Sequence, residues 1–165
     1  MSGRARARIV RAAVVLVLVS TVTWVAGCAG GTPKSESSDS LPRVVVASYP
    51  LEYLALVVGG DQVVVENVAA SAGDAHHLEL SPAQAARVGD ADIALYLSGG
   101  FQSAMEEAIS VTKVNSYDVL QAVDPEDLIA GDPHIWLDPL ISADIADGLA
   151  IQLGEVDPAH ASYYE

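Results

Sequence analysis

The chain has a single cysteine, Cys28, in 165 residues. An intrachain disulfide is therefore excluded. Basic residues are almost as scarce. After Cys28 only Lys34, Arg43, Arg87 and Lys113 stand against all 22 acidic residues. Binding to nucleic acid needs basic patches that meet phosphate, so no nucleic-acid partner is expected. The most apolar run, Ala12 to Ala26, carries Ser20, Thr21 and Thr23 and is shorter than the ~20 apolar residues of a spanning helix. There is no Gly-x-Ser-x-Gly elbow and no phosphate-cradling glycine loop. "LSGGF", Leu97 to Phe101, is the nearest approach to such a loop, but it lacks a lysine and a fuller glycine pattern. What remains is an acidic body suited to drawing in cations, although most of its charge serves solvation.

The first residues have a different character. Arg4, Arg6, Arg8 and Arg11 precede the apolar run, and "VAGCAGG" follows it. A basic start, a short apolar middle and small residues before a break describe a secretory signal over residues 1–27. A membrane anchor helix is the alternative, disfavoured by length. Cys28 after Val-Ala-Gly resembles the lipobox of bacterial lipoproteins, in which the cysteine is lipidated and opens the mature chain. Several acyl chains on it would hold firmly to a membrane, and the thiol would no longer serve as a nucleophile. Residues 28–40, with "TPKSESSDS", are polar and serine-rich and read as a tether.

From Leu41 the pattern alternates. β-Branched or apolar runs at Arg43–Tyr49, Gln62–Val68, Asp92–Leu97 and, more weakly, Val114–Leu120 predict four strands. Helical spacing predicts helices at Leu51–Asp61, Ser81–Gly89, Gly100–Ile109 and Ile141–Gly154. In the third of these, Phe101, Ala104, Met105 and Ala108 share one face. The fourth carries a stripe of Ile141, Ile145, Leu149 and Leu153. Strand–helix alternation implies an α/β fold, a mainly parallel four-stranded sheet flanked by helices, with ligands bound beyond the carboxyl ends of the strands. Asp157 and Pro158 announce one more helix, whose Ala159, Tyr163 and Tyr164 have no evident packing partner.

The chemistry rests on histidines. His76 lies in "AGDAHHLELSP", after the second strand, and His134 lies in "GDPHIWLDP", after the fourth. Each stands two residues after an aspartate, Asp74 and Asp132. Pro133 keeps Asp132 extended, and the Asp132 carboxylate suits a local turn onto backbone amides. Trp136 and Leu137 are placed to anchor the loop. Neutral imidazole is a ligand for zinc, copper, nickel or iron. A lone histidine is more often a satisfied polar residue, so it is the two matching contexts that raise the metal reading. His77 should point away from His76, since neighbours in an extended loop face opposite ways. His160 reads as surface. Zinc sites want three or four protein ligands, and two are found.

The residues "SYPLEYLALVVGGD", "SAGDAHHLELSPAQAARVGDADIALYLSGG", "GDPHIWLDP", the helix after it and "VDPAHASYYE", in that order, resemble the substrate-binding lipoproteins of zinc and manganese ABC transporters, the ZnuA/TroA-like group. The resemblance runs from about Leu41 to the end of the chain. It implies a bilobal protein with the metal in the cleft between two α/β lobes joined by one long helix. Residues 41–156 would be the first lobe and 157–165 the start of the joining helix. His76 and His134 match two family ligands. The others, typically another His or a Glu and then an Asp, would come from a second lobe not found here. The family usually has Pro where Ala75 stands and an aromatic where Leu78 stands. "VDPEDLIAGD" replaces the His-rich loop of some zinc members, which leaves zinc or manganese (Zn2+ or Mn2+) open. The resemblance implies a monomer that is no enzyme, exported and lipid-anchored, serving an ABC permease. The alternatives are a zinc-hydrolase fragment with Glu79 activating water, and an adhesion lipoprotein of the same fold.

Overall fold

The computed structural model describes residues 40–69 and 77–165. The leader, the tether with Cys28, and the stretch holding His76 lie outside the described residues.

Four strands form one parallel sheet: β1 Arg43–Val46, β2 Val64–Asn67, β3 Ile93–Tyr96 and β4 Ser116–Asp118, in the order β2-β1-β3-β4. Val44 pairs with both Val65 and Ile93, and Leu95 pairs with Tyr117. The helices are α1 Tyr49–Gly59, α2 Pro82–Gly89, α3 Ser103–Thr112, α4 Pro139–Val156 and a last turn, α5 Ala161–Tyr164. This is the α/β architecture the sequence predicts.

Side chains alternate across the sheet, and each face has its own core. Val44, Val46, Ile93 and Leu95 pack with Leu51 and Ala55 of α1 and with Ile145, Leu149 and Leu153 of α4. Val45, Ala47 and Ala94 pack with Val88 of α2 and with Met105 and Ala108 of α3. The central strands β1 and β3 are thus covered on both sides, which explains their unbroken apolar runs. Strand order reverses between β1 and β3, so the crevice at a topological switch point opens at their carboxyl ends.

Several boundaries differ from expectation, each for a local reason. Strand β1 ends at Val46 instead of Tyr49, because Pro50 sits in the first turn of α1, where its missing N–H costs nothing. Helix α3 begins at Ser103 because Gly99 and Gly100 adopt φ 77° and 83° and turn the chain first. Phe101 therefore leaves the α3 face and packs against the opposite core, the one with α1 and α4. Helix α4 starts at Pro139, with Asp138 Oδ1 accepting from the Leu140 N–H at 2.8 Å. The second Asp-Pro of "GDPHIWLDP" is thus a helix cap.

The terminal turn also departs from expectation. Tyr164 is buried in the core beside α4. Its hydroxyl donates to Asp157 Oδ2 at 2.8 Å and lies 3.4 Å from the Gln62 carbonyl. The Tyr163 hydroxyl donates to Asp61 Oδ1 at 3.1 Å. The two tyrosines clasp the turn after α1. Burial raises the Tyr164 pKa, and the Asp157 carboxylate raises it further.

Two predictions come from this packing. Gly148 sits mid-helix in α4 under the Tyr117 hydroxyl of β4, where any Cβ would collide with that oxygen. Alanine normally gains about 1 kcal/mol over glycine in a helix. Here overpacking costs about 1–3 kcal/mol, so Gly148→Ala should lower the urea midpoint, and adding Tyr117→Phe should restore part of it. The second concerns Asp157. Burial pushes its carboxyl up, but the Tyr164 hydroxyl and the His160 ring outweigh that and hold it below its ordinary value. Its contribution is fully present above the unfolded value near ~3.9 and fades as pH falls through the lower folded value. Asp157→Asn should therefore be less stable than the parent at neutral pH, with the gap closing below about pH 4; urea midpoints at both pH values measure it.

Candidate metal centre

All four strands are parallel, so every strand-to-helix loop opens on the carboxyl edge. That edge is stitched by side chains where the ladder runs out. Gln102, fully buried, donates from Nε2 to the Ala47 carbonyl and accepts at Oε1 from the Leu97 N–H, both at 3.0 Å. It thereby ties β1 to β3 at the switch point. Asp118 Oδ1 accepts from the Ser98 N–H at 3.1 Å and the Leu120 N–H at 3.2 Å, joining β3 to β4. Gln84 Nε2 donates to the Val68 carbonyl at 2.6 Å, and Asn67 Nδ2 donates to Glu52 at 2.8 Å. Gln84 also completes a capping box with Ser81 at the start of α2. Gln102 carries no motif that marks it in the sequence. The available signal was an amide side chain one turn before Met105, on a segment otherwise facing the core.

His134 sits on this edge. Asp132 Oδ1 accepts from the His134 backbone N–H at 3.0 Å and lies 2.7 Å from the ring Nδ1. The expected aspartate turn is present, and it also reaches the imidazole. The backbone N–H, then the ring, hold the Asp132 carboxyl below its ordinary value, so it is ionised at neutral pH. Trp136 meets the His134 ring edge-on at 5.3 Å and 71°. Trp136 also lies 6.4 Å from Phe101, which follows β3, and shares a groove with Tyr49, Pro50 and Tyr53, which follow β1. The histidine loop therefore crosses the ends of β1 and β3 although it leaves from edge strand β4. The anchor differs from expectation in one residue. Leu137 is exposed, and Ile135, one residue before Trp136, is buried. In the single 3₁₀ turn Ile135–Leu137 consecutive side chains fan out by about 120°, so only one of the three can face straight down.

His134 stands between two hollows. One of about 730 Å³ is bounded by Leu97, Gly100, Phe101, Leu120 and Ile129. The other, about 340 Å³, is lined by Asp127 and Asp138 as well as by Asp132 and His134. Among the described residues no lysine or arginine lines either hollow. Arg43 and Arg87 are both engaged by Glu66 of β2, at 3.1 and 2.7 Å. The field at this rim therefore favours cations. The glycine loop after β3 is no anion cradle. The Ser98 and Gly100 N–H groups already donate to Asp118 and Glu106, the latter at 2.9 Å.

Of the other histidines, His77 is exposed, as expected. His160 is at the surface with Nδ1 2.8 Å from Asp157, remote in sequence from the rim. Among the described residues no three His, Cys, Asp or Glu side chains converge as a metal-holding group. His76, the expected partner of His134, lies outside the described residues, as does Cys28.

The ZnuA family profile, "Zinc-uptake complex component A periplasmic", matches residues 44–165. The chain belongs to the ZnuA family. The high-affinity zinc uptake system protein ZnuA of Bacillus subtilis (strain 168) is 23% identical, with 90% of this chain and 53% of that protein covered. A crystal structure of ZnuA aligns with TM-score 0.66 at 28% identity, covering 76% of this chain and 51% of that one. The laminin-binding protein Lmb of Streptococcus agalactiae, titled a bifunctional protein with adhesin and metal transporting activity, aligns with TM-score 0.66 at 29% identity, covering 76% and 48%. The chain spans between about a third and about half the length of the curated relatives it matches. Among the described residues no helix is long and apolar enough to cross a membrane.

The rim's dependence on one amide can be measured. Gln102→Leu fills the space but leaves the Leu97 N–H and Ala47 carbonyl without that partner. It should cost about 2 kcal/mol or more, read as a lowered urea midpoint at unchanged slope.

Proposed function

We propose that this chain captures a divalent transition metal outside the cytoplasm and passes it to the permease of an ABC transporter. The observation that carries the proposal is the placement of His134. A ZnuA-family chain holds this imidazole beside the loop that follows β3, bonded to Asp132 at its Nδ1 and packed against Trp136. His76 is the second proposed ligand, brought from the loop after β2. Zinc is favoured as cargo by the relatives' zinc uptake role, with manganese the alternative. No bond is broken, and no catalytic residue is assigned. Cys28 is the proposed lipid attachment point, with residues 1–27 as signal peptide and 28–40 as tether, which would keep the monomeric binding lobe at the outer face of the membrane.

The donor set is half a shell. Two imidazoles fall short of the three or four protein ligands that zinc takes. We propose that residues 41–156 are the first of two lobes, with 157–165 leading toward the second. Differential affinity for the closed arrangement would then drive closure. The acidic rim raises the local concentration of cations, and the imidazoles select among them.

Zinc titration of the chain, alone and fused to the second lobe of a relative, tests this. The chain alone should bind weakly and the fusion tightly. His134→Ala and His76→Ala should each weaken the fusion by at least about 100-fold, since even indirect supports of a ligand are worth 10–100-fold. Tight stoichiometric binding by the chain alone, or full affinity without His134, would refute the shared half-site.

A further inference from the structure

One oxygen of Asp132 serves two donors on the same residue, the backbone N–H of His134 at 3.0 Å and its ring Nδ1 at 2.7 Å. An ionised carboxylate only accepts hydrogen bonds. A ring nitrogen 2.7 Å from it must therefore carry a hydrogen. In a neutral imidazole only one nitrogen does so, and the other then holds the lone pair. We infer that Asp132 is a positioning residue that holds neutral His134 as the Nδ1–H tautomer, so that the lone pair resides on Nε2.

Three features support a built arrangement. Pro133 disfavours helical geometry at Asp132, and the shared Oδ1 closes a short ring through the backbone, so the carboxylate cannot swing away without losing two bonds. Trp136 packs on the imidazole at 5.3 Å and 71°, which restrains the ring plane. Trp136 is itself placed by the Ser142 hydroxyl, which donates to its carbonyl at 3.0 Å. The ring is thus fixed in tautomer by Asp132 and in plane by Trp136. An unconstrained neutral histidine favours hydrogen on Nε2, the state that cannot bind a metal through that atom. Asp132 therefore removes a cost that each binding event would otherwise carry. This deepens the metal-capture reading and rests on it for its purpose. The tautomer itself rests on the geometry alone.

Long-range proton–nitrogen NMR of the full chain, free of metal and at about pH 8, above the ordinary histidine range, reads the tautomer directly. His134 should show hydrogen on Nδ1. Asp132→Ala should move it to the ordinary Nε2–H form, and Asp132→Asn, which keeps an acceptor oxygen, should retain Nδ1–H. Zinc affinity in the two-lobe fusion should fall about 10–100-fold in Asp132→Ala. Hydrogen on Nε2 in the parent, an unmoved tautomer in Asp132→Ala, or unchanged affinity despite a moved tautomer would each overturn the inference. Failure of the metal-capture reading looks different. His134→Ala would leave zinc affinity untouched while the parent tautomer stood as described.

Discussion

The rim depends first on the hydrogen bonds of Gln102. Two parallel strands that diverge at a switch point leave backbone groups that no neighbour in the ladder can reach. At such a point water usually enters, or a ligand does. Here a fully buried amide takes the Leu97 N–H and the Ala47 carbonyl at once, in a site from which water is excluded. A buried amide with both ends satisfied is rigid, because every alternative orientation strands a polar group in low dielectric. Asp118 repeats the device between β3 and β4, so the carboxyl edge is a stiff platform. The loop that crosses it inherits that stiffness through Trp136 and Ile135. A histidine borne by a long connection from an edge strand can then be held nearly as well as one on a strand.

Charge on this molecule is spatially sorted. Arg43 at the start of β1 and Arg87 near the end of α2 converge on Glu66. Both arginines are substantially exposed, so the pair adds little stability. Its consequence is placement: two cations are held on β2 and away from the hollows beside His134, which leaves Asp127, Asp132 and Asp138 to set the sign of the field there. Such a field accelerates encounter with any cation and discriminates poorly among them. Selection has to come from the donor atoms.

Much of this was legible in the sequence, for reasons of periodicity and punctuation. Unbroken apolar runs gave away β1 and β3 because both faces of those strands are covered. Ser81-Pro82 and Gly89 marked both ends of α2. The Asp132 turn followed from aspartate two residues before an amide. What stayed hidden depended on contacts distant in sequence or on one dihedral angle. Pro50 reads equally as a strand stop or a helix start, and only packing decides. Phe101 belongs by spacing to the α3 face, yet two glycines with positive φ send it through to the other core. Leu137 outranks Ile135 in no hydrophobic pattern, and a 3₁₀ turn buries only one of them. Tyr164 has no partner visible in the pattern because the Gln62 carbonyl it approaches lies 102 residues away and the nearby Asp157 reads as a helix cap. Gln102 was the least visible, since its role exists only where two strands part.

The nearby carboxylates bear on which metal the proposed site would prefer. Oxygen donors suit manganese, while imidazole nitrogen suits zinc. Carboxylates are abundant at this rim, so abundance alone would point toward oxygen ligation. Yet two of those that line the hollow with His134 are committed. Asp138 accepts from the Leu140 N–H as the cap of α4, and withdrawing it would unsatisfy a helix end. Asp132 holds the His134 backbone and ring through one oxygen, so ligating a metal with that atom would release the imidazole it orients. One oxygen of Asp132 and one of Asp138 are thus structural here, and the imidazole of His134 is the donor proposed for metal. With His76 as the second proposed imidazole, this lobe would contribute the half of the shell that favours zinc, and any preference for manganese would have to be imposed from outside it.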